Sequence, residues 1–196
     1  RLASFREALD AAVNDLVENY IARDTVAGMV ERYKAVVEPH LYNEPDILYA
    51  PLTQVKYDEV AAAIPDEVEE NLASYRESLL SPLPFYIGTP KVENGTLSMG
   101  WDASYDFDAQ AITYRATLAR DPQCEDVVAQ GDDLVIPLMT CDNPGTGEYF
   151  LCVVAVNEDG YTQTAFDAYV TANDGNKVYG TICFWITDDD EVVLYN

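Results

Sequence analysis

An apolar stretch in the second half of the chain constrains the fold more than any other feature of the sequence. It runs from Tyr149 to Val156, and every residue in it is aromatic, β-branched or otherwise apolar. The segments on either side, Asn143–Gly147 and Asn157–Gly160, contain the asparagine and glycine residues that favour turns. A helix would need more length and fewer β-branched residues. The pattern therefore predicts a central β-strand.

Further strands are predicted around this central one, at intervals of about ten residues with turn residues between them. They are Leu97–Trp101, Ile112–Leu118, Leu134–Leu138, Thr162–Thr171, Val178–Thr187 and a short Val192–Tyr195. Pro137 suggests an edge strand or a bulge, and Asn173–Asn176 is a hairpin turn signal. Many short strands of this kind predict an antiparallel β-sandwich or barrel.

The first half of the chain shows helical periodicity instead, with apolar residues every three or four positions. The first helix is predicted over residues 2–19. The second begins at a cap formed by Asp24 or Thr25 and ends at Pro39. The apolar residues of the connecting loop 39–52 are expected to pack.

Two more helices are predicted after this loop, one over residues 54–63 and another that begins at Pro65. The first and second helices are expected to form an antiparallel pair, with the last helix against them. Apolar and aromatic side chains at helical spacing are expected to form the buried faces of this small bundle.

The domain boundary is placed at Ser81–Tyr86, because two prolines in this segment favour an extended chain. Residues 1–82 are predicted to be a helical region, the tail of a larger upstream domain, and residues 83–196 a β-sandwich. The chain starts with Arg1 inside a helical pattern and shows no signal peptide. We therefore expect it to be a piece of a longer protein.

The chain is strongly acidic, with 35 acidic residues against 11 basic ones and a net charge of −24. This charge argues against nucleic acid or an anionic membrane as a partner, and no apolar run is long enough to span a bilayer. A solvated acidic surface is the favoured interpretation. The alternative is cation binding by Asp102–Asp108 or Asp188–Glu191, although neither loop has the glutamate and glycine pattern of an EF-hand.

Cysteine and histidine spacing predicts no metal or catalytic site. The four cysteines contain no C-x-x-C pair and the only histidine is His40, which argues against structural zinc. His40 has no catalytic partner that the sequence can nominate. Two states of the cysteines stay open, either disulfides Cys124–Cys141 and Cys152–Cys183 or four reduced thiols. No catalytic, cofactor-binding or metal residue is predicted.

The strand residues of the second half resemble those of fibronectin type III domains, which have an immunoglobulin-like fold. Glu148–Asn157 is similar to the penultimate strand of that family, and Leu97–Trp101 and Ile112–Ala116 are similar to its second and third strands. The resemblance covers residues 83 to about 172 and implies a seven-stranded β-sandwich. The residues from Asn173 onward exceed that number of strands.

The order of the two halves resembles the C-terminal part of the spore-coat protein H (CotH) kinase-like family. The segments concerned are Val30–Pro39, Leu72–Leu79, Trp101–Asp106 and Leu118–Pro122. The resemblance implies an atypical bacterial protein kinase whose catalytic residues lie upstream of Arg1. This sequence has no Gly-rich phosphate loop or set of residues spaced for phosphoryl transfer, so no residue is carried over.

Two functions are compatible with these observations. The first is a non-catalytic interaction module of a secreted or cell-surface bacterial protein. It would contact a protein, a glycan or its own upstream domain, with exposed tyrosines such as Tyr161 and Tyr169 as contacts. The second is a helical half that completes a CotH-type kinase, which predicts incompletely buried helix faces. A free-standing hydrolase or oxidoreductase would need a nucleophile–base pair or a cofactor loop that the sequence does not offer.

Overall fold

A computed structural model of the chain describes residues 2–50, 52–171 and 175–195. The chain divides into two compact units, Arg1–Ser78 and Leu79–Asn196. Within the described residues the first unit holds three α-helices and the second holds antiparallel β-sheets. The predicted order of helices followed by strands is confirmed.

The helical unit departs from the predicted helix boundaries at its second helix. Its elements are α1 (Leu2–Asn19), α2 (Arg23–Leu41), a 3₁₀ helix (Asp46–Tyr49) and α3 (Gln54–Ser78). α1 matches the prediction. α2 begins after Ala22 without a side-chain cap and continues past Pro39, so the predicted cap and stop were wrong. Pro39 lies in the last turn, where its carbonyl accepts a hydrogen bond from the Asn43 side chain.

α3 is one continuous helix through Pro65, where the sequence predicted a break between two helices. A proline inside a helix loses one backbone hydrogen bond and crowds the preceding turn, at a cost of about 3 kcal/mol. Here Pro65 and Ala61, one turn apart, are both buried, and Ile64 beside them is half-buried. Burial of this continuous apolar surface offsets the lost hydrogen bond. A prediction made from the proline alone does not take this burial into account.

α2 and α3 form the packed helix pair of this unit, whereas the sequence predicted α1 with α2. α1 meets α3 through a hydrogen bond of 3.2 Å from Arg76 to Asn14. The loop after α2 packs only in part, through the half-buried Tyr42, whose ring lies 5.8 Å from that of Tyr57. The loop's Leu48 and Tyr49 side chains are 79% and 83% exposed, because the short 3₁₀ helix turns them toward solvent.

The second unit contains two larger antiparallel sheets and a hairpin. Its strands are β1 (Lys91–Glu93), β2 (Thr96–Gly100), β3 (Ile112–Ala119), β4 (Val127–Leu134), β5 (Leu138–Asp142), β6 (Gly147–Asn157), β7 (Thr162–Thr164), β8 (Ala168–Val170), β9 (Lys177–Tyr179), β10 (Thr181–Ile186) and β11 (Val192–Tyr195). One sheet has the order β1-β2-β5. The other has the order β11-β10-β6-β3-β4, with β7 added beside β6, and β8 pairs with β9.

β6 is the central strand that the apolar run predicted. It pairs with β3 on one side and with β10 on the other. Because side chains alternate along a strand, Tyr149, Leu151 and Val153 share one face and are fully buried. Residues of both larger sheets join them in one core, among them Leu97, Met99, Leu118, Met139, Phe184 and Ile186.

Three other strand predictions require correction. Leu134–Leu138 is not a strand, because the chain passes there from one sheet to the other and exposes Val135 and Ile136. Thr162–Thr171 is divided into β7 and β8. Val178–Thr187 is divided into β9 and β10 at Gly180, whose φ of 77° breaks the extended chain. The predicted turn Asn173–Asn176 lies partly outside the described residues.

Candidate functional site

An apolar groove lies between α2 and α3, and we call it the α2–α3 groove. It has a volume of about 460 Å³. α2 contributes Val26, Met29, Val30 and Tyr33, and α3 contributes Val60 and Ile64. The α2 residues belong to the helical stripe that the sequence predicted to be buried.

Much of the groove faces solvent instead. Met29 is 48% exposed, Tyr33 74% and Val60 41%, whereas Val26 at the bottom of the groove is buried. The expectation of a buried helical face was therefore wrong for Met29 and Tyr33, whereas Val30 and Val37 are half-buried, because two paired helices cover only part of each other's surface. Contiguous apolar surface of this kind marks interaction sites in soluble proteins.

Two of the cations beside the groove are paired with carboxylates, and a third, Arg32, is exposed next to Met29 and Tyr33. Lys34 Nζ lies 2.8 Å from Asp58 Oδ1, and this hydrogen bond raises the pKa of Lys34. Arg23 Nη2 lies 2.6 Å from Asp66 Oδ1. Since α3 carries seven acidic residues against two basic ones, the charge left over on this helix is negative.

The acidic loop Asp102–Asp108 uses its buried carboxylate for structure. Asp106 is 3% exposed, and its Oδ2 accepts a hydrogen bond of 2.8 Å from Asn157 Nδ2. Its Oδ1 accepts the Asp108 amide at 2.7 Å. This carboxylate therefore joins the loop to the end of β6, and Asp102 stands exposed at the start of the loop.

The second acidic segment, Asp188–Glu191, ties the turn after β10 to the loop before β6. Asp188 accepts a hydrogen bond of 2.8 Å from the Thr146 hydroxyl, and Asp190 accepts one of 2.7 Å from the Asn143 side chain. Within the described part of the chain, no group of three or more His, Cys, Asp or Glu side chains could hold a metal ion.

The other residues weighed from the sequence are dispersed. His40 is exposed in the last turn of α2. Tyr161 is exposed on the loop after β6, as expected for a surface contact. Tyr169 is half-buried instead, because its ring packs edge-on against Phe150 at 5.1 Å between centroids.

The four cysteines are free thiols, which agrees with the second of the two states left open and not with the disulfides Cys124–Cys141 and Cys152–Cys183. Thr181 of β10 lies directly opposite Cys152, so Cys183 is its diagonal neighbour. Diagonal positions are about 7–8 Å apart, beyond the usual reach of a disulfide. Cys141 lies in the other sheet, opposite Leu97.

Cys124 and Cys152 are the two cysteines that the structure brings together. Their side chains influence each other electrostatically, and the Thr181 side chain also acts on the sulfur of Cys152. The thiol of Cys124 lowers the pKa of Cys152 to about 7 by stabilising its thiolate, whereas the same contact raises the pKa of Cys124. Burial raises the pKa of Cys183 to about 12, with a further contribution from Glu148. Sequence spacing gave no signal for the contact between Cys124 and Cys152.

Tyr149 anchors the loop that leads into β6. Its hydroxyl lies 3.1 Å from the carbonyl oxygens of both Pro144 and Gly145. The guanidinium of Arg120 lies over its ring at 5.2 Å from the centroid. The start of the central strand is thereby fixed to the preceding turn.

The helices of the described residues include none that is long and apolar enough to cross a membrane. No family model matches the chain, and no curated protein matches it. A solved structure described as "Structure of FN3tt mut" is similar, with 21% identity over 43% of this chain and 92% of that chain, at a TM-score of 0.26. A score this low does not establish a shared fold. The resemblance to the CotH kinase-like family has no support from these comparisons.

Proposed function

We propose that this chain is a non-catalytic interaction module of a larger bacterial protein that is secreted or held at the cell surface. Its α2–α3 groove is the docking surface, and the occupant is a basic amphipathic helix of a partner protein. The observation that carries this proposal is the open apolar groove with a negatively charged neighbouring helix.

Burial in the helical unit favours a missing partner. The buried residues of α2 and α3 are Val26, Ala61 and Pro65. Helices in proteins gain most of their stability by packing an apolar face, and each apolar Å² removed from water contributes about 25 cal/mol. An occupant that covers Met29, Tyr33 and Val60 would supply this missing packing.

Charge favours a basic occupant over an acidic one. Lys34 and Arg23 are neutralised by Asp58 and Asp66, so Glu67, Glu69 and Glu70 of α3 remain as an exposed acidic run. A helix with lysine or arginine beside its apolar face would meet complementary charge along α3. An acidic helix, including a second copy of α3, would be repelled.

We further propose that the second unit is an immunoglobulin-like sandwich of the fibronectin type III kind, which acts as a spacer or presenting scaffold. Two features support this. The sheets group the first, second and fifth strands against the third, sixth and a late strand, as in immunoglobulin-like domains. The Tyr149 hydroxyl bonds back to the turn before β6, which is the tyrosine corner of such domains.

Two helical probe peptides with the same leucine face test the docking proposal. One carries lysine on its polar face and the other carries glutamate. Fluorescence anisotropy should show that the lysine peptide binds the chain and the glutamate peptide does not. Added salt should weaken binding without removing it, since the apolar contact persists.

A matched pair of variants on α3 locates the binding. Val60→Lys places a repelling cation in the groove, whereas Val55→Lys adds the same charge to an exposed position outside the groove lining. We expect the first change to abolish binding of the lysine peptide and the second to leave most of it. Equal losses in the two variants, or binding of neither peptide, would overturn the proposal.

The open groove also favours the second candidate, a helical unit that completes a CotH-type kinase. That function predicts incompletely buried helix faces, as Met29 and Tyr33 are here. In that case the natural upstream sequence would fill the groove. A longer protein containing that sequence would then fail to bind the lysine peptide, whereas an interaction module would still bind it.

A further inference from the structure

We propose that the partner helix lies along the exposed side of α2 as well as in the groove, and that it carries basic residues on one edge of its apolar face and an acidic residue on the other. This proposal rests on the proposed function and specifies its partner. It depends on three observations, namely an exposed apolar face of α2, the exposed cation Arg32 on one side of that face and the acidic helix α3 on the other.

Three apolar residues of α2 form an exposed face, which we call the outer face of α2. They are Met29, Tyr33 and Val36, and their spacing of four and three residues places them on one side of the helix. Tyr33 is 74% exposed and Val36 is 68% exposed. Residues at this spacing are the anchors of complexes in which a helix lies in a groove.

The outer face of α2 is continuous with the α2–α3 groove. Met29, Tyr33 and Val37 line both the groove and a neighbouring depression that also contains Val36. A third depression continues from Val36 to Tyr49 of the 3₁₀ helix, whose side chain is 83% exposed. Together the three depressions extend along about three turns of α2, so a helix that covers them needs at least as many turns.

Arg32 borders the outer face of α2 on the side away from α3. A Cβ built at Gly28 would lie 3.5 Å from Arg32 Nη1, so the guanidinium lies over Gly28, one turn earlier. Gly28 is two residues from Val30, which lines the groove, and residues two apart on a helix point in nearly opposite directions. Among the described residues Arg32 forms no ion pair, in contrast to Arg23 and Lys34. Its charge is therefore available to a partner.

α3 borders the same surface on the other side and is acidic. Glu67 lies three residues after Ile64, which lines the groove, and is followed by the exposed Glu69 and Glu70. A docked helix therefore meets negative charge along one edge and the positive charge of Arg32 along the other. Charges beside the apolar face select the partner of a helix and its direction. Because turning a helix end for end exchanges its two edges, this pattern permits one direction of docking.

Two helical peptides with the same leucine face test the charge pattern in fluorescence anisotropy with the whole chain. One carries lysine on both edges, and the other carries lysine on one edge and glutamate on the other. We expect the second peptide to bind about threefold to tenfold more tightly, because it replaces a repelling pair at Arg32 with an attracting one. The preference should shrink at about 1 M salt, where exposed charges are screened.

Reversing the charge of Arg32 locates the acidic edge of the partner. Arg32→Glu should invert the preference, so that the peptide with two lysine edges binds more tightly. The matched control is Arg115→Glu, which changes the net charge equally at an exposed position of β3 in the other unit and should retain the original preference. An unchanged preference in Arg32→Glu, or equal binding of the two peptides to the unaltered chain, would overturn the charge pattern.

A pair of valine variants tests whether the outer face of α2 takes part. Val36→Ser removes apolar area from that face, whereas Val55→Ser makes the same change at an exposed position of α3 outside the three depressions. The first should weaken binding of both peptides by at least about threefold and the second should leave it unchanged. Circular dichroism checks that each variant keeps its helices.

The possible failures are distinguishable. Equal binding by Val36→Ser and Val55→Ser would confine the occupant to the groove and overturn its extension along α2, while the proposed function would stand. Binding of neither peptide to the unaltered chain would overturn the proposed function and this inference with it.

Discussion

Replacing Tyr149 with phenylalanine removes a single oxygen atom from the start of the central strand. The ring stays in place, fully buried beside Phe184 at 6.0 Å between centroids. The lost hydroxyl lies 3.1 Å from two carbonyl oxygens, those of Pro144 and Gly145. The change therefore isolates the bond between the strand and its preceding turn.

The magnitude follows from this geometry. One hydroxyl proton is shared between the two carbonyls, so a single net hydrogen bond is lost, worth about 0.5–1.5 kcal/mol. Pro144 and Gly145 are half-buried, so water can reach the released carbonyls and the cost stays near the middle of that range. Tyr149→Leu also loses the ring contacts with Phe184 and Arg120, and should cost about 3 kcal/mol or more.

Urea unfolding followed by tryptophan emission measures these losses. Both tryptophans of the chain, Trp101 and Trp185, lie in the unit Leu79–Asn196, so the signal reports that unit. Tyr149→Phe should lower the midpoint by about 0.5 M at an unchanged slope. The matched control Tyr179→Phe, at a side chain 65% exposed, should change stability by less than about 0.5 kcal/mol. Equal midpoints for the two variants would refute the anchoring role.

Three further outcomes are expected. Asp106→Ala removes one of the two acceptors of the buried Asn157 amide, which keeps the Leu80 carbonyl, and the acceptor of the Asp108 amide, and should cost about 1–3 kcal/mol in the same unfolding assay. Gly180→Ala should destabilise by more than about 1 kcal/mol, because φ is 77° and a Cβ would lie 2.8 Å from the Thr164 Cβ. Iodoacetamide should alkylate Cys152 faster as the pH rises through about 7, the pKa that Cys124 lowers, as followed by mass spectrometry.

Elements whose signal is local could be predicted from the sequence. The apolar run Tyr149–Val156 is long enough for a strand, rich in β-branched residues and bounded by turns, and β6 occupies that place between two partners. The bounds of α1 were likewise predicted from periodicity alone. The backbone geometry of a helix or a strand fixes the spacing of the residues that share one face. This spacing is therefore the same in every tertiary context.

Elements that depend on distant surfaces could not be predicted. Pro65 predicts a helix start by the local rule, yet the buried surface that it shares with Ala61 keeps α3 continuous. Leu134, Ile136 and Leu138 alternate as in a strand, but the chain changes sheets there. Alternating apolar residues indicate which side chains could share one face of a strand. They do not indicate whether a neighbouring strand is there to pair with it.

The two candidate sites were hidden for the same reason. The apolar stripe of α2 is typical of a core, and only the fold shows that Tyr33 and Met29 lie uncovered. The disulfide hypothesis joined cysteines that follow each other along the chain, whereas Cys124 of the β3–β4 turn interacts with Cys152 of the central strand. Both sites depend on which residues are neighbours in the tertiary structure, and the sequence alone does not give these neighbours.

The edge position of β11 has a consequence for how the protein behaves at high concentration. Val193, Leu194 and Tyr195 form an exposed apolar edge strand, the kind that templates pairing with another chain. At neutral pH the net charge of −24 keeps chains apart. Acidification to about pH 4.1, the isoelectric point of the sequence, brings the net charge to zero and removes that repulsion, so we expect β-rich aggregates near this pH that Leu194→Lys suppresses. Electrostatic repulsion between the acidic chains therefore limits aggregation through the exposed edge strand β11.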